Sequence, residues 1–253
     1  MKLCVIGGAG ARSAFLTKSL VKSTRDIRVD HIVLLDNDQQ KLKTYGEISR
    51  ELSRRLDPDL TFEVTSDARA ALTGVDYIIT TIRAGGDAGR LFDEQTCLAH
   101  GVLGQETTGA GGFAMAIRSV PTLVYYCTLA REVANPGHLI FNFTNPSGII
   151  TQALRSKGFD NVYGICDAPS GFIKQLEEIL EIPYGTLDIE CYGLNHLSWF
   201  RNAKVNGRDV QRELLDNPRT YEHSEMRLFT REMARISGDC MLNEYLYFYY
   251  RRG

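Results

Sequence analysis

The first residues along the chain whose types and spacing could do chemistry are Gly7-Gly8-Ala9-Gly10-Ala11-Arg12-Ser13, between an apolar β-favouring run and a helical one. A glycine-rich turn in that place lets backbone N–H groups approach a pyrophosphate at a helix N-terminus. Gly7, Gly8, Gly10 and Ser13 are therefore candidate dinucleotide contacts, with Ser13 standing where the usual fingerprint has its third glycine. The next strand-like run ends in Asp36. A carboxylate there suits ribose hydroxyls and repels the extra phosphate of NADP, so NAD is the expected cofactor. Capping a helix is the other role open to Asp36, although Asn37 or Asp38 could do that instead. Further on, residues 101–112 hold five glycines, Glu106, Thr107 and Thr108 ahead of a long helical stretch. Such a loop allows close approach or unusual dihedrals, and a helix N-terminus beyond it favours a polar ligand; a plain surface connection is the alternative.

The elements that must position these groups are legible as a rhythm. Apolar β-favouring runs at 2–7, 31–36, 62–66, 77–82, 138–143 and 161–166 alternate with helix-length segments. That alternation predicts an α/β fold, a Rossmann-like doubly wound parallel sheet covered by helices on both faces. Leu42, Tyr45, Ile48, Leu52 and Leu56 are spaced as one apolar face of a crossover helix over 38–56. A second long helix is expected from Phe113 to Val133, stopped by Asn135-Pro136-Gly137. After Cys166 the rhythm changes: 186–205 reads as two strands flanking Gly-Leu-Asn-His, and 219–237 as a polar helix rich in Arg and Glu. The expected organisation is a nucleotide-binding domain over 1–165 and a partial α+β metal and substrate domain over 166–253.

Composition narrows the class. The 253 residues are 43% hydrophobic and 24% charged, the balance of an ordinary globular fold rather than a disordered or coiled-coil chain. A net charge of -2 provides no global field for nucleic acid or an anionic membrane. The six cysteines, Cys4, Cys97, Cys127, Cys166, Cys191 and Cys240, are scattered without a CxxC pair and are expected to be reduced thiols. No leader pattern and no apolar run of about 18 residues is evident, so the expectation is a cytoplasmic protein with no membrane span.

Several motifs in one order carry a more specific signal. GQETTGAGGFAMAIRSVP (104–121), NFTNPSG (142–148), GICDAP (164–169), GLNHLSW (193–199) and NEYLYFYY (243–250) resemble the NAD- and divalent-metal-dependent glycoside hydrolases of family four. The resemblance runs in register from Met1. It is greatest to the 6-phospho-β-glucosidases, whose forms are Asn-Pro-Ser-Gly and Gly-Leu-Asn-His-Leu.

The resemblance implies that Cys166 and His196 hold a metal, expected to be Mn²⁺; a thiolate and an imidazole bind transition metals and leave positions for substrate oxygens. It implies that Tyr245 is the catalytic base and that Glu106 tunes it. A tyrosine with an ordinary pKa near ~10 needs a nearby cation to favour phenolate. Asp167 follows the cysteine as in the Cys-Asp-x-Pro form of α-type members, where it looks like the general acid, so the anomeric preference stays open. Arg90 and Asn145 match positions that contact the sugar or its 6-phosphate, and Arg83 lies nearby in sequence. Read from the residues alone, Cys166 also suits a small core residue and His196 a core histidine. Asp167 likewise suits a cap for the helix starting near Pro169, and Tyr245 a core aromatic in the run with Tyr247, Phe248, Tyr249 and Tyr250.

The reaction implied is oxidation at sugar C3 by NAD, removal of the C2 proton, elimination of the aglycone, addition of water and return of the hydride. The family is known as an exception to two-carboxylate glycosidases. The implied partner is a small phosphorylated glycoside, and the implied assembly a homo-oligomer. Family members are longer at the C-terminus, and the ending at Tyr249-Tyr250-Arg251-Arg252-Gly253 carries the expectation of an incomplete second domain. The rival readings are a malate- or lactate-type 2-hydroxy-acid dehydrogenase, for which no arginine clamp and His–Asp relay can be placed, and a non-catalytic NAD-binding protein.

Overall fold

The computed structural model describes residues 1–250, in two compact units, Met1–Ile165 and Cys166–Gly253. In the first unit six strands form one parallel sheet: β1 (Lys2–Ile6), β2 (His31–Leu35), β3 (Thr61–Thr65), β4 (Tyr77–Thr80), β5 (Leu139–Asn142) and β6 (Val162–Gly164). Their order, β3-β2-β1-β4-β5-β6, is that of the dinucleotide-binding doubly wound fold. The central strands β1 and β2 are apolar along their length because both faces are covered, whereas edge strand β3 carries Glu63 and has no buried residue. Cys4, Ile6, Val33 and Leu35 face one core, while Leu3, Val5, Ile32 and Leu34 face the other.

The helices of this unit are α1 (Ser13–Ile27), α2 (Gln39–Lys41), α3 (Glu47–Leu56), α4 (Ala68–Leu72), α5 (Gly86–Ala99), α6 (Gly109–Val133) and α7 (Ser147–Ser156). Helical structure over 39–56 agrees with the spacing, but the buried face does not. A π-helical turn at Leu42–Gly46 joins α2 to α3. Beyond Leu42 the residues turned inward are Gly46, Ser49 and Ser53, whereas Ile48 and Leu56 are exposed. A π-turn fits more residues into a turn than the 3.6 assumed by a face count, so every later position rotates away from its expected side. Small residues also suit the close packing: a Cβ on Gly46 would lie 2.5 Å from Val64 Cγ1.

By length and composition α6 could cross a membrane, contrary to the expectation that no such run exists. Leu123, Cys127, Leu129 and Ala130 from this helix belong to the core of the first unit, and we read α6 as a core helix.

The second unit comprises α8 (Ala168–Leu180), β7 (Leu187–Leu194), β8 (Leu197–Val205), β9 (Arg208–Asp209), α9 (Gln211–Asp216), α10 (Thr220–His223), a 3₁₀ turn (Glu225–Leu228), α11 (Arg231–Ile236), β10 (Met241–Leu242) and α12 (Leu246–Tyr250). The strands make an antiparallel sheet in which β8 lies between β7 and β10 and also pairs with β9. The expected helix over 219–237 is three short pieces instead. Ser224 accepts a hydrogen bond from Met226 N, and Thr230 one from Met233 N, so each hydroxyl caps a new start instead of letting the previous turn continue. The side chains of Tyr249 and Tyr250, and residues 251–253, lie outside the described part.

The core of this unit centres on Phe172 of α8 and Phe200 of β8, both fully buried, with ring centroids 4.9 Å apart edge to face. Truncation there removes a large apolar body that the sheet and helix cannot close over. Phe200→Ala is expected to cost about 3–5 kcal/mol of the second unit's stability, read from chemical denaturation followed by near-UV circular dichroism.

Candidate functional site

In the first unit the glycine turn leaves β1 at the point where the strand order reverses, between β2 and β4. Gly7 has φ = 85°, and a Cβ on it would lie 2.8 Å from Thr81 O; one on Gly8 would lie 2.9 Å from Val5 O. Both positions therefore exclude side chains. Their amides donate to Leu35 O at 2.8 and 3.0 Å, so they fasten the turn to β2 rather than facing a ligand. A Cβ on Gly10 would meet nothing within 4 Å. Among the described residues the Gly10, Ala11 and Arg12 amides donate to no main-chain acceptor. An open turn with undirected amides at the start of α1 fits a pyrophosphate. Ser13 is the first residue of α1 and is buried.

Asp36 takes Ala9 N at 3.1 Å on one oxygen and Asp38 N at 3.1 Å on the other. It ties the turn to the end of β2, and Asp38, not Asp36, caps α2 by accepting from Gln40 N and Lys41 N.

A second group gathers around Glu106, whose side chain is 16% exposed. Arg83 Nε donates to Glu106 Oε2 at 3.2 Å, Arg90 Nη1 lies 3.6 Å from Oε1, and Asn145 Nδ2 donates to Oε1 at 3.3 Å. Arg83, Glu106, Arg90 and Asn145 are thus one cluster in this unit. Residues to which sequence reasoning gave no role support it. Arg118 donates to Ala84 O and makes a two-pronged bond to buried Asp93, fixing the segment just after Arg83 to α5 and α6. Fully buried Asn142 accepts from Thr80 Oγ1 at 2.8 Å, while Thr144 Oγ1 accepts from Ile82 N at 3.1 Å. This network fixes the strand ends ahead of Asn145. The only available sequence signal was a polar residue closing each of two apolar strands.

In the second unit, Cys166 and His196 meet. The 30-residue separation is bridged because β7 and β8 form a hairpin whose two-residue turn is Asn195-His196. His196 sits there at φ = 61°, a conformation that normally favours glycine or asparagine, and its Nε2 lies 3.4 Å from Cys166 Sγ. A bulky polar residue in such a turn carries backbone strain that glycine would not.

Its other nitrogen, Nδ1, pairs with the Glu244 carboxylate. The Tyr245 ring stacks on the imidazole at 4.7 Å between centroids and 23° between planes, and Tyr245 N donates to His196 O at 3.2 Å. Asp167 stands at the cap position of α8, yet its side chain makes no capping bond; its Oδ1 is 3.8 Å from Cys166 Sγ. Glu244 was overlooked in the sequence because the aromatic residue beside it drew the chemistry.

The electrostatics single out this cysteine. Burial pushes Cys4 and Cys127 up to about 12. Burial also opposes ionisation of Cys166, but the hydrogen bond with His196 and the Ala168 amide at the start of α8 bring its thiol below the usual value. Burial acts to lower His196, while Cys166 and Glu244 together raise it, to about 10. Each group thus favours the charged form of the other. Among the described residues no group of three or more His, Cys, Asp or Glu could hold a metal. A thiolate and an imidazole 3.4 Å apart still form a fitting two-donor set, since bonds of about 2.3 and 2.1 Å to one ion subtend roughly that distance.

Fold and site together define a dinucleotide-fold protein whose second unit brings a cysteine and a histidine together. Residues 2–182 match Family 4 glycosyl hydrolase, and residues 191–253 match Family 4 glycosyl hydrolase C-terminal domain. The chain belongs to glycosyl hydrolase family 4. It is 35% identical over 219 residues to the 6-phospho-beta-glucosidase BglT of Thermotoga maritima, covering 86% of this chain and 51% of that protein. It is 32% identical to the phospho-alpha-glucosidase PagL of Clostridium acetobutylicum, covering 85% and 50%. The solved Thermotoga maritima 6-phospho-beta glucosidase with manganese, NAD⁺ and glucose-6-phosphate superposes with a TM-score of 0.88 at 31% identity, over 98% of this chain and 59% of that one. The chain spans about half the length of the curated relatives it matches.

Behind the histidine, Glu225 accepts from Asn243 Nδ2 at 2.6 Å and lies against Glu244. Burial and the Glu244 charge push its carboxyl up to about 7. A carboxyl raised above its unfolded value binds protons better in the folded state, so its contribution to stability declines as pH rises from about 4.5 to 7. Glu225→Gln removes that decline. Thermal midpoints measured across this window are expected to show the variant gaining on the parent with rising pH, with no further gain above pH 8.

Proposed function

We propose that the chain carries the nucleotide- and metal-binding half of a 6-phospho-glucosidase, acting on a small phosphorylated glycoside with NAD and a divalent cation, Mn²⁺ in its solved relatives. The observation that carries this reading is the Cys166–His196 pair at 3.4 Å with the Tyr245 ring lying on the imidazole. The domain assignment follows: residues 1–165 bind nucleotide, and 166–253 contribute metal and substrate groups.

NAD, when bound, supplies reversible oxidation at sugar C3, and the metal supplies Lewis-acid polarisation of the adjacent oxygens. The remaining chemistry belongs to the chain. Gly10 and the open amides beside it would receive the pyrophosphate, with Gly7, Gly8 and Ser13 shaping the turn and Asp36 accepting from ribose hydroxyls. Cys166 and His196 would hold the cation and leave its other positions to substrate oxygens and water. Tyr245 would take the proton from C2, a step made feasible by the neighbouring oxidised carbon and by positive charge beside the phenol. Asp167, exposed and free of capping duty, would protonate the departing oxygen.

Arg90 and Asn145 would bind the sugar or its phosphate, and Glu106 between them would set how much of their charge is available and tune the base. We take the β anomer as the substrate form, on the Asn-Pro-Ser-Gly and Gly-Leu-Asn-His-Leu segments, against the α-type Cys-Asp-x-Pro. Hydrolysis of paired p-nitrophenyl 6-phospho-α- and β-glucosides decides it.

Calorimetric titration is expected to give NAD a preference of at least about tenfold over NADP, and Asp36→Ala is expected to narrow it, because the ribose acceptor and the repulsion of a 2′-phosphate vanish together. Equal affinities in the parent protein would overturn the nucleotide assignment. For the proton step, turnover in D₂O is expected to place deuterium at C2 of the product. Tyr245→Phe is expected to lose turnover by about 10²-fold or more while NAD affinity is unchanged. A product without solvent deuterium at C2 would exclude this chemistry, and steady accumulation of NADH would instead favour a dehydrogenase.

A further inference from the structure

The imidazole of His196 is restrained in three ways, and they are not equivalent. The turn at φ = 61° places its Cβ, and the Tyr245 ring at 4.7 Å and 23° sets its plane. Neither distinguishes the two edges of the ring: a half-turn about the Cβ–Cγ bond keeps position and plane, but exchanges Nδ1 with a carbon and turns Nε2 away from Cys166. Two hydrogen-bonding contacts separate the orientations, the long one from Nε2 to Cys166 Sγ at 3.4 Å and the one at Nδ1, which Glu244 makes with a charged oxygen.

Glu244 is itself held by sheet pairing rather than by chance contact. Leu242 is paired with Trp199, Asn243 N donates to Ser198 O at 3.0 Å, and Tyr245 N donates to His196 O at 3.2 Å. The carboxylate is therefore delivered to the histidine by the backbone on both sides of it. We propose that Glu244 is a positioning residue that selects the ring orientation of His196 and presents Nε2 to Cys166 and to the cation they share. The inference rests on the metal reading of that pair. A carboxylate on the far nitrogen also strengthens the near one as a ligand, and loss of such partners typically costs 10–100-fold in metal affinity.

The test uses Glu244→Ala and Glu244→Gln, with Mn²⁺ affinity followed by electron paramagnetic resonance and the His196 Nδ1–H proton followed by nitrogen-edited NMR in the metal-free protein. Glu244→Ala is expected to weaken Mn²⁺ binding about 10–100-fold and to abolish the downfield Nδ1–H signal, with near-UV circular dichroism unchanged. Glu244→Gln keeps an acceptor oxygen without the charge, so it is expected to retain the signal and lose less affinity. If Glu244→Ala keeps both the signal and Mn²⁺ affinity within twofold of the parent, the proposal is overturned. Cys166→Ser separates the two readings. If it binds Mn²⁺ as the parent does, the metal assignment fails, and the metal-free Nδ1–H signal alone then decides the role of Glu244.

Discussion

A histidine forced into a left-handed turn position is the constraint on which the second unit is organised. The β7–β8 hairpin has no residues to spare between Leu194 and Leu197, and Gly193 just before the turn has φ = 120° with no room for a side chain, since a Cβ would lie 2.6 Å from Leu197 O. The strain of order 1–3 kcal/mol that such a residue carries is offset by what gathers on it: a thiol, a carboxylate and a stacked ring. Even the short strand β10 has its place explained, because pairing with β8 brings Asn243–Tyr245 alongside the turn.

The first unit works by a different economy. Its central strands bury both faces, so their polar groups gather where β4 and β5 end, and there they are satisfied by one another. Thr80, Asn142 and Thr144 form such a knot, which keeps the chain from fraying as it leaves β4 and β5. Charge is handled similarly. Glu106 is surrounded by donors from three separate segments, so its position reports on all three. Removing any one partner leaves a mostly buried carboxylate less well compensated, which is costly in a medium less polar than water.

Much of the first unit could be read from the chain because a two-sided parallel sheet writes itself as apolar runs. The strands fall within two residues of those runs, and the turn after β1 lies where glycine spacing placed it. Reading failed where local geometry departed from the regular period. The π-turn at Leu42–Gly46 rotated a helix face, and hydroxyl caps at Ser224 and Thr230 broke a segment that composition made look continuous. In the site, Cys166 and His196 came from resemblance rather than spacing, since thirty intervening residues say nothing until the hairpin is known. Glu244 left no mark in the pattern at all; its meaning arises only from cross-strand register.

The glycines in the loop after α5 and in the first turn of α6 have a consequence for how this scaffold can change over generations. Side chains at Gly104, Gly111 and Gly112 would run into Glu94 O at 2.6 Å, Gln105 O at 2.6 Å and the Thr107 carbonyl carbon at 2.8 Å, all main-chain atoms with little freedom to retreat. Those three positions are therefore closed to mutational drift, and side-chain variation is left to neighbours such as Gln105, Glu106 and Thr108, whose side chains already bond to one another or to nearby donors. The result is a narrow evolutionary corridor. Change there is by exchange of hydroxyl, amide and carboxyl groups on an unchanging main-chain frame.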